Sequence, residues 1–528
     1  MSITGFVATL VSTWYGAILG VGENTFLYGI QTWFIFSFPY YIFALAYAIW
    51  IAPKIRQGNS ISIPDHFREV YGKRAGILSA LILSFLASPA PYLLGMGFMI
   101  QFMFGLELGM ALMISTIFSA IYVWNGGFGA VVRTDIFQFV LMFAGFFLLL
   151  IYLWTNVQSP ISLINEIPEN YLDPLGGNTF QYVLAWFFIA AWTFIDPGFF
   201  QRCAAAKTPE SARKGILISI VFWAIFDCMT ITCALYAVGT IQQQQAALTF
   251  PLLALDVLPV GVFGLFMTGI IATLMSTIDS LGLLSAISFG RDMLWRIQSD
   301  DITSNTIPFI RKGLVIVSFL SLVLAYLLPS IVQLFYAIGS VLIPGLILPF
   351  LNTIRNHPLP MKGSKAIRWM GLPIVISMSW YIISTINGSS FLGIEPFYPG
   401  ILSSIGYFNF IQIGNKNANE IERKFLVDTL PSHQISRSKT VRQGYMVNNE
   451  YQVVRVRSMD SDHFLTIKSN TRGLSRLEFE YQIPKEDAVD MFKYLCGPSI
   501  IEKTRHYIET RIIHGRLMNF MERMRVSL

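Results

Sequence analysis

The chain has 528 residues, of which 54% are hydrophobic, 14% aromatic and 13% charged, and its net charge is +6. Soluble domains average about 25% charged residues. The composition therefore excludes an ordinary soluble protein and indicates an integral membrane protein. The basic excess does not require a nucleic-acid partner, because the basic residues between apolar segments report membrane topology instead.

Apolar runs of about 20 residues, long enough to cross a lipid bilayer, fill the first 412 residues. About twelve spans are predicted, at 5–30, 33–52, 75–104, 107–124, 131–155, 179–200, 213–240, 260–288, 308–328, 330–352, 366–388 and 396–412. The Lys and Arg residues of this region follow the even-numbered spans. The positive-inside rule then predicts a multi-pass protein of the cell membrane whose N-terminus and C-terminal region are cytoplasmic.

Two spans are interrupted at corresponding places. The first carries Gly16, Gly20 and Gly22, and the sixth, five spans later, carries Asp196-Pro197-Gly198. Pro and Gly break the helical hydrogen bonds, and backbone groups freed at membrane depth persist where something polar uses them. Paired breaks in two halves of five spans indicate an inverted-repeat transporter with a site near the midplane. The alternative is close glycine packing in span 1 and a simple kink in span 6.

The eighth span contains an unusual polar cluster, Met275 to Ser280 (MSTIDS), in a run that holds one acid and no Lys or Arg. Hydroxyls and a carboxylate are costly at membrane depth, so they usually face a partner, a cavity or an ion. The alternative is that the hydroxyls bond to backbone carbonyls one turn earlier, which helices tolerate. The broken spans favour the ion site.

Three motifs in this order resemble the sodium:solute symporters. They are NGGFGAVVRTDIFQ (125–138), PGFFQRCAAAKTPESARK (197–214) and ATLMSTIDSLGLLSAISFGRD (272–292). The resemblance covers residues 1–412. It implies an all-α membrane domain with an inverted repeat of five plus five helices, similar to the leucine transporter, and two extra helices. It also implies symport of a small organic solute, with Na⁺ as the coupling ion. The family usually has a helix and a polar loop ahead of the first broken helix, whereas this sequence begins at that helix, so either the start codon is misplaced or the N-terminus is lost.

The resemblance also implies where sodium binds. Carried across, the expected ligands are Leu10, Thr13, Thr273, Ser276 and Thr277. Neutral oxygens favour sodium over a proton, because a proton needs a group that titrates. Asp135 is assigned a gating role near the cytoplasmic side, and Asp279 a similar one, with a hydrogen-bonded packing acid as the alternative for Asp279.

The solute pocket is predicted beside the broken helices. Its candidate residues are Trp14, Tyr15, Trp192 and Asp196, although aromatic side chains at helical spacing are often only packing. No Lys or Arg is expected deep inside a span, so a solute carboxylate would have only the half-helix N-termini to bind. The sequence leaves the solute and the oligomeric state open.

After residue 412 the composition changes. A linker is predicted at 413–419, followed at 420–510 by charged segments with strand-like alternation that resemble the CYTH or triphosphate-tunnel domains. The resemblance implies a partial antiparallel β-barrel with polyphosphate held by bases and a divalent metal, Mg²⁺ if the domain is functional, held by acids. The residues concerned are Glu420, Glu422, Lys424, Arg455, Arg457, Lys468, Arg476, Glu478, Glu480, Lys503 and Arg505.

The last segment, 511–528, is predicted to be translated out of frame. One permitted coding of 514–526, read from its third nucleotide, gives WEVDEF, which resembles the next strand of the second family. The alternative is an amphipathic basic tail. With strands missing, little phosphatase activity is expected. A sodium-coupled symporter is therefore favoured over a membrane-tethered triphosphate hydrolase or polyphosphate sensor, since twelve spans exceed what an anchor needs.

Overall fold

The computed structural model of the protein describes residues 1–58, 60–238, 243–298, 305–355, 358, 359, 361, 363–416, 419–421, 435–449, 451–469, 475–497, 500–509 and 514–520. Its internal contacts divide the chain into two compact units, Met1–Tyr407 and Phe408–Leu528.

The first unit is helical, and its last helix continues past Tyr407 to Lys416. Its helices are α1 Ile3–Trp14, α2 Ile18–Tyr28, α3 Phe38–Ala46, α4 Ala52–Gln57, α5 Ile63–Tyr71, α6 Lys73–Leu86, α7 Ala90–Phe104, α8 Leu108–Asn156, α9 Pro160–Glu166, α10 Phe180–Ile189, α11 Trp192–Ile195, α12 Pro197–Ala205, α13 Pro209–Leu235, α14 Thr249–Val257, α15 Val260–Ala286, α16 Arg296–Gln298, α17 Ile307–Leu327, α18 Ile331–Thr353, α19 Ser364–Asn387 and α20 Phe397–Lys416. Ten helical segments of the described residues are long and apolar enough to cross a membrane, and they coincide with ten predicted spans. The other two predicted spans, 107–124 and 396–412, correspond to the shorter apolar helix Leu108–Trp124 and to α20.

The first span breaks between α1 and α2, where Tyr15–Ala17 form a single 3₁₀ turn. Gly16 lies at this break, and a Cβ added to it would overlap the Cβ and Oγ1 atoms of Thr277 on α15. Glycine is thus required here by the close approach of another helix. Gly20 and Gly22 lie inside α2. Their close contacts with neighbouring side chains agree with the alternative of close glycine packing in span 1.

The sixth span breaks at Asp196, between α11 and α12. The Asp196 Oδ1 atom accepts a hydrogen bond of 2.8 Å from the backbone N–H of Phe199, and Pro197 occupies the first helical position. Both features stabilise a helix start, because an aspartate cap satisfies a free N–H and proline has none to satisfy. The prediction of a break at Asp196-Pro197-Gly198 is confirmed.

Each half of the bundle also has a short helix ahead of its third span. In the first half α5 precedes α6, and in the second half α14 precedes α15. The hydropathy pattern of the sequence predicted neither of these short helices. Together with the broken first span of each half, they give the two sets of five spans the same order of elements.

The helical run α8 contains two spans. A Cβ on Gly109 would lie 3.8 Å from Tyr326 near the end of α17, and a Cβ on Gly145 would lie 3.5 Å from Phe266 near the start of α15. Val123 packs where α15 ends and α17 begins. Since α15 and α17 pack side by side, Gly109 and Gly145 lie at the same end of this pair and Val123 at the other. The chain therefore reverses within α8, as the separate spans 107–124 and 131–155 predict.

The second unit contains an antiparallel sheet. Its elements are β1 Asn419–Ile421, β2 Ile435–Asn448, β3 Gln452–Met459, β4 Asp462–Ser469, β5 Ser475–Gln482, α21 Lys485–Asp490, β6 Ile500–Glu509 and β7 His514–Phe520. The strand order is β1-β5-β4-β3-β2-β6-β7, and each neighbouring pair is antiparallel. Strand β7 lies in the segment predicted to be out of frame, and its backbone pairs with β6 from Lys503 opposite Phe520 to Glu509 opposite His514.

Candidate functional site

Three predicted sodium ligands meet at the break of the first span. The Thr277 hydroxyl of α15 donates to the backbone carbonyl of Thr13 at 2.8 Å and lies 3.3 Å from the carbonyl of Thr273, one turn earlier. Thr273 and Thr277 are fully buried, and Thr13 is 9% exposed. Leu10, one turn before Thr13, is buried as well and lines the neighbouring cavity. The sequence left two interpretations for the hydroxyls of span 8, an ion site or hydrogen bonds to carbonyls one turn earlier. Thr277 is compatible with both, because its hydroxyl contacts a carbonyl of its own helix and a carbonyl of the broken first span.

The Ser276 hydroxyl faces a different set of polar groups. It donates to Asp135 Oδ1 at 2.7 Å and lies 3.0 Å from the hydroxyl oxygen of Ser12. Asp135 and Asp279 are both buried and are close enough to interact electrostatically. Within the described residues, Asp135 Oδ2 and both carboxylate oxygens of Asp279 have no hydrogen-bond partner. Asp135, assigned to a gate from the sequence, is therefore in direct contact with a predicted sodium ligand.

The position of Arg202 differs from the prediction. From the sequence, Arg202 was expected in the loop after span 6, and no Lys or Arg was expected deep inside a span. Arg202 lies in α12 and is 1% exposed. Its guanidinium donates to the Thr9 carbonyl at 3.1 Å, the Thr13 hydroxyl at 2.7 Å and the Gly198 carbonyl at 3.2 Å. It also donates to the Thr9 hydroxyl at 2.9 Å and lies 3.4 Å from the Ser280 hydroxyl. One side chain thus joins α1, α12 and α15 by hydrogen bonds to neutral oxygens.

A cavity of about 900 Å³, part of it open to solvent, adjoins these residues. All four predicted solute residues line the cavity. The complete lining is Leu10, Thr13, Trp14, Tyr15, Ala17, Val21, Phe36, Tyr40, Leu86, Tyr92, Trp192, Asp196, Gly198, Phe199, Arg202, Asp227, Leu281 and Phe335.

The predicted solute residues differ in their contacts. The Tyr15 hydroxyl donates to the Trp223 carbonyl at 2.8 Å and lies 3.0 Å from Asp227 Oδ1, so it serves the packing of α13 as well as the cavity wall. Trp14 presents its ring edge-on to Tyr40, with centroids 4.7 Å apart. The same aromatic residues therefore pack against neighbouring helices and line the cavity.

Sequence reasoning missed Arg202, Asp227, Tyr40 and Tyr92 as cavity residues. Asp227 lies in the middle of predicted span 7, and a lone acid at that depth is itself a signal of function. The two tyrosines belong to predicted spans 2 and 3, and no local pattern in the sequence separates them from ordinary aromatic packing.

Arg455, Arg457, Lys468, Glu478 and Glu480 lie on one face of the sheet, as the two-residue period of the strands predicts. Lys468 of β4 lies opposite Glu478 of β5, and their charged atoms are 2.7 Å apart. Arg455 of β3 lies 3.8 Å from Glu478, and Arg457 forms an ion pair with Glu480. The side chain of Lys503 is buried. Arg455, Arg457 and Lys468 therefore each lie beside an acid of the same face.

Other predicted residues of the sheet site are not described in the same detail. Glu420, Arg476 and Arg505 have backbone positions in β1, β5 and β6, whereas Glu422 and Lys424 lie outside the described residues. Among the residues that the structure describes, no group of three or more His, Cys, Asp or Glu side chains is placed to hold a metal ion.

Broken first spans in both halves, polar groups gathered at the break and an adjoining cavity are the features of the inverted-repeat transporter fold. The sodium:solute symporter family model matches residues 2–357, and the chain belongs to this family. The chain is similar to the sodium/pantothenate symporter of Haemophilus influenzae, with 30% identity over 311 residues, which are 55% of this chain and 64% of that protein. It therefore spans slightly less than two thirds of that relative.

The fold is similar to that of a Na⁺-coupled sialic acid symporter in a substrate-bound, outward-open state. The TM-score is 0.60 at 13% identity, over 79% of this chain and 90% of that one, which confirms the predicted fold. A second region of the chain is similar to the inorganic triphosphatase of Acetivibrio thermocellus, with 39% identity over 87 residues, 16% of this chain and 56% of that enzyme. This is consistent with a fused partial CYTH domain.

Proposed function

We propose that the protein is a secondary active transporter that couples the movement of a small organic solute to sodium by alternating access. The observation that carries the proposal is the meeting of Thr13, Thr273 and Thr277 oxygens at the break of the first span. Membership of the sodium:solute symporter family supports it. The electrical gradient supplies about 2.3 kcal/mol per charge for each 100 mV.

Sodium would compete with a hydrogen bond at this site. The Thr277 hydroxyl donates to the Thr13 carbonyl, so both oxygens are within reach of one ion once the hydroxyl turns its lone pairs inward. Ser276 and Leu10 complete the proposed ligand set. Because Thr13 belongs to the first half of the bundle and Thr277 to the second, ion binding would stabilise the contact between α1 and α15.

The acids beside the site would lower the cost of admitting sodium. A carboxylate attracts a cation strongly in a low-dielectric interior, and Asp135 already accepts the Ser276 hydroxyl. We assign Asp135 and Asp279 to gating and charge compensation. The solute would occupy the adjoining cavity against Trp14, Tyr15, Trp192 and Asp196. The orientation proposed from the basic residues places the N-terminus and the sheet unit in the cytoplasm.

The test is the double variant Ser276→Ala/Thr277→Ala. We expect the purified wild-type chain to unfold at a higher temperature in sodium than in potassium, and the double variant to lose this difference, because two hydroxyl ligands are gone. Ser285→Ala is the matched control, since Ser285 lies on the same helix but donates to the Ser84 carbonyl. A sodium response that survives in the double variant would contradict the proposed ion site.

The sheet unit carries a second proposal, supported by its similarity to part of a triphosphatase. The face that holds Arg455, Arg457, Lys468 and Lys503 has the positive charge that a polyphosphate requires. We propose that it binds polyphosphate and that transport is the activity of the whole chain. Release of phosphate from tripolyphosphate by the purified chain in Mg²⁺, above that of an Arg457→Ala variant, would instead favour a membrane-tethered triphosphatase.

A further inference from the structure

The charged groups around the cavity and the ion site are mostly acidic. Among the described residues there, Asp135, Asp196, Asp227 and Asp279 face a single base, Arg202. A ligand that enters this region therefore meets more acidic than basic side chains. In a low-dielectric interior, a carboxylate without a basic partner favours a cationic ligand and disfavours an anionic one.

Arg202 is not positioned to receive a solute carboxylate. Each of its guanidinium nitrogens already donates to a neutral oxygen of Thr9, Thr13 or Gly198, and the residue is 1% exposed. These bonds use four of the five N–H groups of the guanidinium. A carboxylate would therefore find at most one N–H of this buried cation for a new hydrogen bond.

Asp196 is the acid in the cavity wall that a solute can reach. It is only partly buried, and its Oδ1 atom caps α12 through the N–H of Phe199. The phenol groups of Tyr40 and Tyr92 lie close enough to interact with its carboxylate electrostatically. Asp227 differs, because the Tyr41 hydroxyl donates to it and the Tyr15 hydroxyl oxygen lies 3.0 Å from its Oδ1 atom.

Aromatic rings form a large part of the remaining cavity wall. Tyr92 and Phe335 meet edge to face with centroids 5.5 Å apart, and Trp192 meets Phe335 at 6.4 Å. Trp14 meets Phe199 at 6.1 Å. The faces of such rings attract cations, most strongly where water is excluded.

We propose that the solute is a small organic cation, whose positive group lies between the Asp196 carboxylate and the aromatic rings of the cavity. This inference rests on the proposed transport function and names the solute class of the same cavity. It opposes a carboxylate solute, because Arg202, the one base among the described residues of the cavity lining, already directs four of its five N–H groups to neutral oxygens.

The test uses the purified full chain in sodium, with thermal unfolding as the readout. The cationic probes are choline, tetramethylammonium and butylamine, with pantothenate as the anionic probe and glucose as the neutral one. We expect a cation to raise the unfolding temperature in a saturable way. Asp196→Asn keeps the helix cap and should weaken the effect about 30-fold or more. Trp192→Leu should weaken it about tenfold.

Glu395→Gln is the matched control, because Glu395 is a buried acid bonded to Tyr336 and Ser390 outside the cavity. If Asn at position 196 prevents folding, the Trp192→Leu titration decides. Protection by pantothenate or glucose with none from any cation would overturn the proposal, and so would no protection by any probe. If sodium alone, with no solute present, does not raise the unfolding temperature, the proposed sodium coupling is contradicted. The titration with cationic solutes still tests the solute class in that case.

Discussion

Acidic and basic side chains lie close together both at the break of the first span and on one face of the sheet. They have different partners in the two places: neutral groups at the break, and oppositely charged groups on the sheet. At the break, Arg202 donates to neutral oxygens, and Asp135 and Asp279 retain carboxylate oxygens without hydrogen-bond partners among the described residues. On the sheet, Lys468 and Glu478 pair directly. Unpaired buried acids cost several kcal/mol, which is tolerated where a cation enters. The sheet is electrostatically satisfied without a ligand.

The largest effect is expected from Arg202→Met. This change removes the donor for the Thr9 and Gly198 carbonyls and the cation nearest to Asp135. Loss of one member of such a buried network costs about 3–5 kcal/mol, so we expect a strongly lowered unfolding temperature in potassium. Sodium should restore more stability to the variant than to the wild type, because the acids then have no other compensating charge.

Lys214→Met is the control for Arg202→Met. Lys214 is exposed and lies 3.6 Å from Glu210, and such surface pairs contribute about 0–1 kcal/mol. An equal loss of stability for Arg202→Met in sodium and in potassium would show that the arginine serves packing alone, and the contrast with the sheet would then disappear.

An intermediate effect is expected from Gly16→Ala. The added Cβ overlaps the Cβ and Oγ1 atoms of Thr277, so the contact between α1 and α15 must open at the proposed sodium site. Overpacking of this kind costs about 1–3 kcal/mol, and the sodium-dependent gain in unfolding temperature should fall with it. The matched control is Gly282→Ala on α15, where an added Cβ meets nothing within 4 Å.

That control should be neutral or stabilising, since alanine is favoured over glycine inside a helix by about 1 kcal/mol. If Gly16→Ala keeps the full sodium response, the break does not need the close approach of the two helices.

Much of this core could be predicted from the sequence because its polar residues interrupt apolar helices. Pro197 and Gly16 mark the breaks, and the hydroxyls of Ser276 and Thr277 stand out in an apolar span. Arg202 was misplaced because hydropathy ended span 6 near residue 200, whereas α12 continues to Ala205. Burial of that guanidinium depends on oxygens of another helix, which a local pattern does not contain.

The sheet was predictable in a different way. Alternation placed Glu478 and Glu480 on one face, and the structure confirms that both reach basic side chains of that face. The pairing itself depends on the register of β3, β4 and β5, which alternation does not determine. The short helices α5 and α14 were also missed, because they are too short to stand out from the loops around the spans.

The smallest effect is expected from Glu478→Gln, which tests whether the sheet is self-neutralised. Glu478 lies 2.7 Å from Lys468 and 3.8 Å from Arg455, so a polyphosphate must compete with it for both bases. Removing this charge should tighten the binding of tripolyphosphate without divalent metal by about fivefold, or about 1 kcal/mol. Titration calorimetry of the full chain measures this change.

Glu502→Gln is the matched control for Glu478→Gln, since Glu502 is exposed and pairs with the exposed Arg442 at 3.4 Å. A fall in affinity that appears only when Mg²⁺ is added would show that Glu478 holds a metal. An unchanged metal-free affinity would show that the ion pairs of the sheet are no barrier to an anion. Either result would contradict the comparison drawn here, in which the charges of the sheet neutralise one another and the acids of the helical core accept a cation.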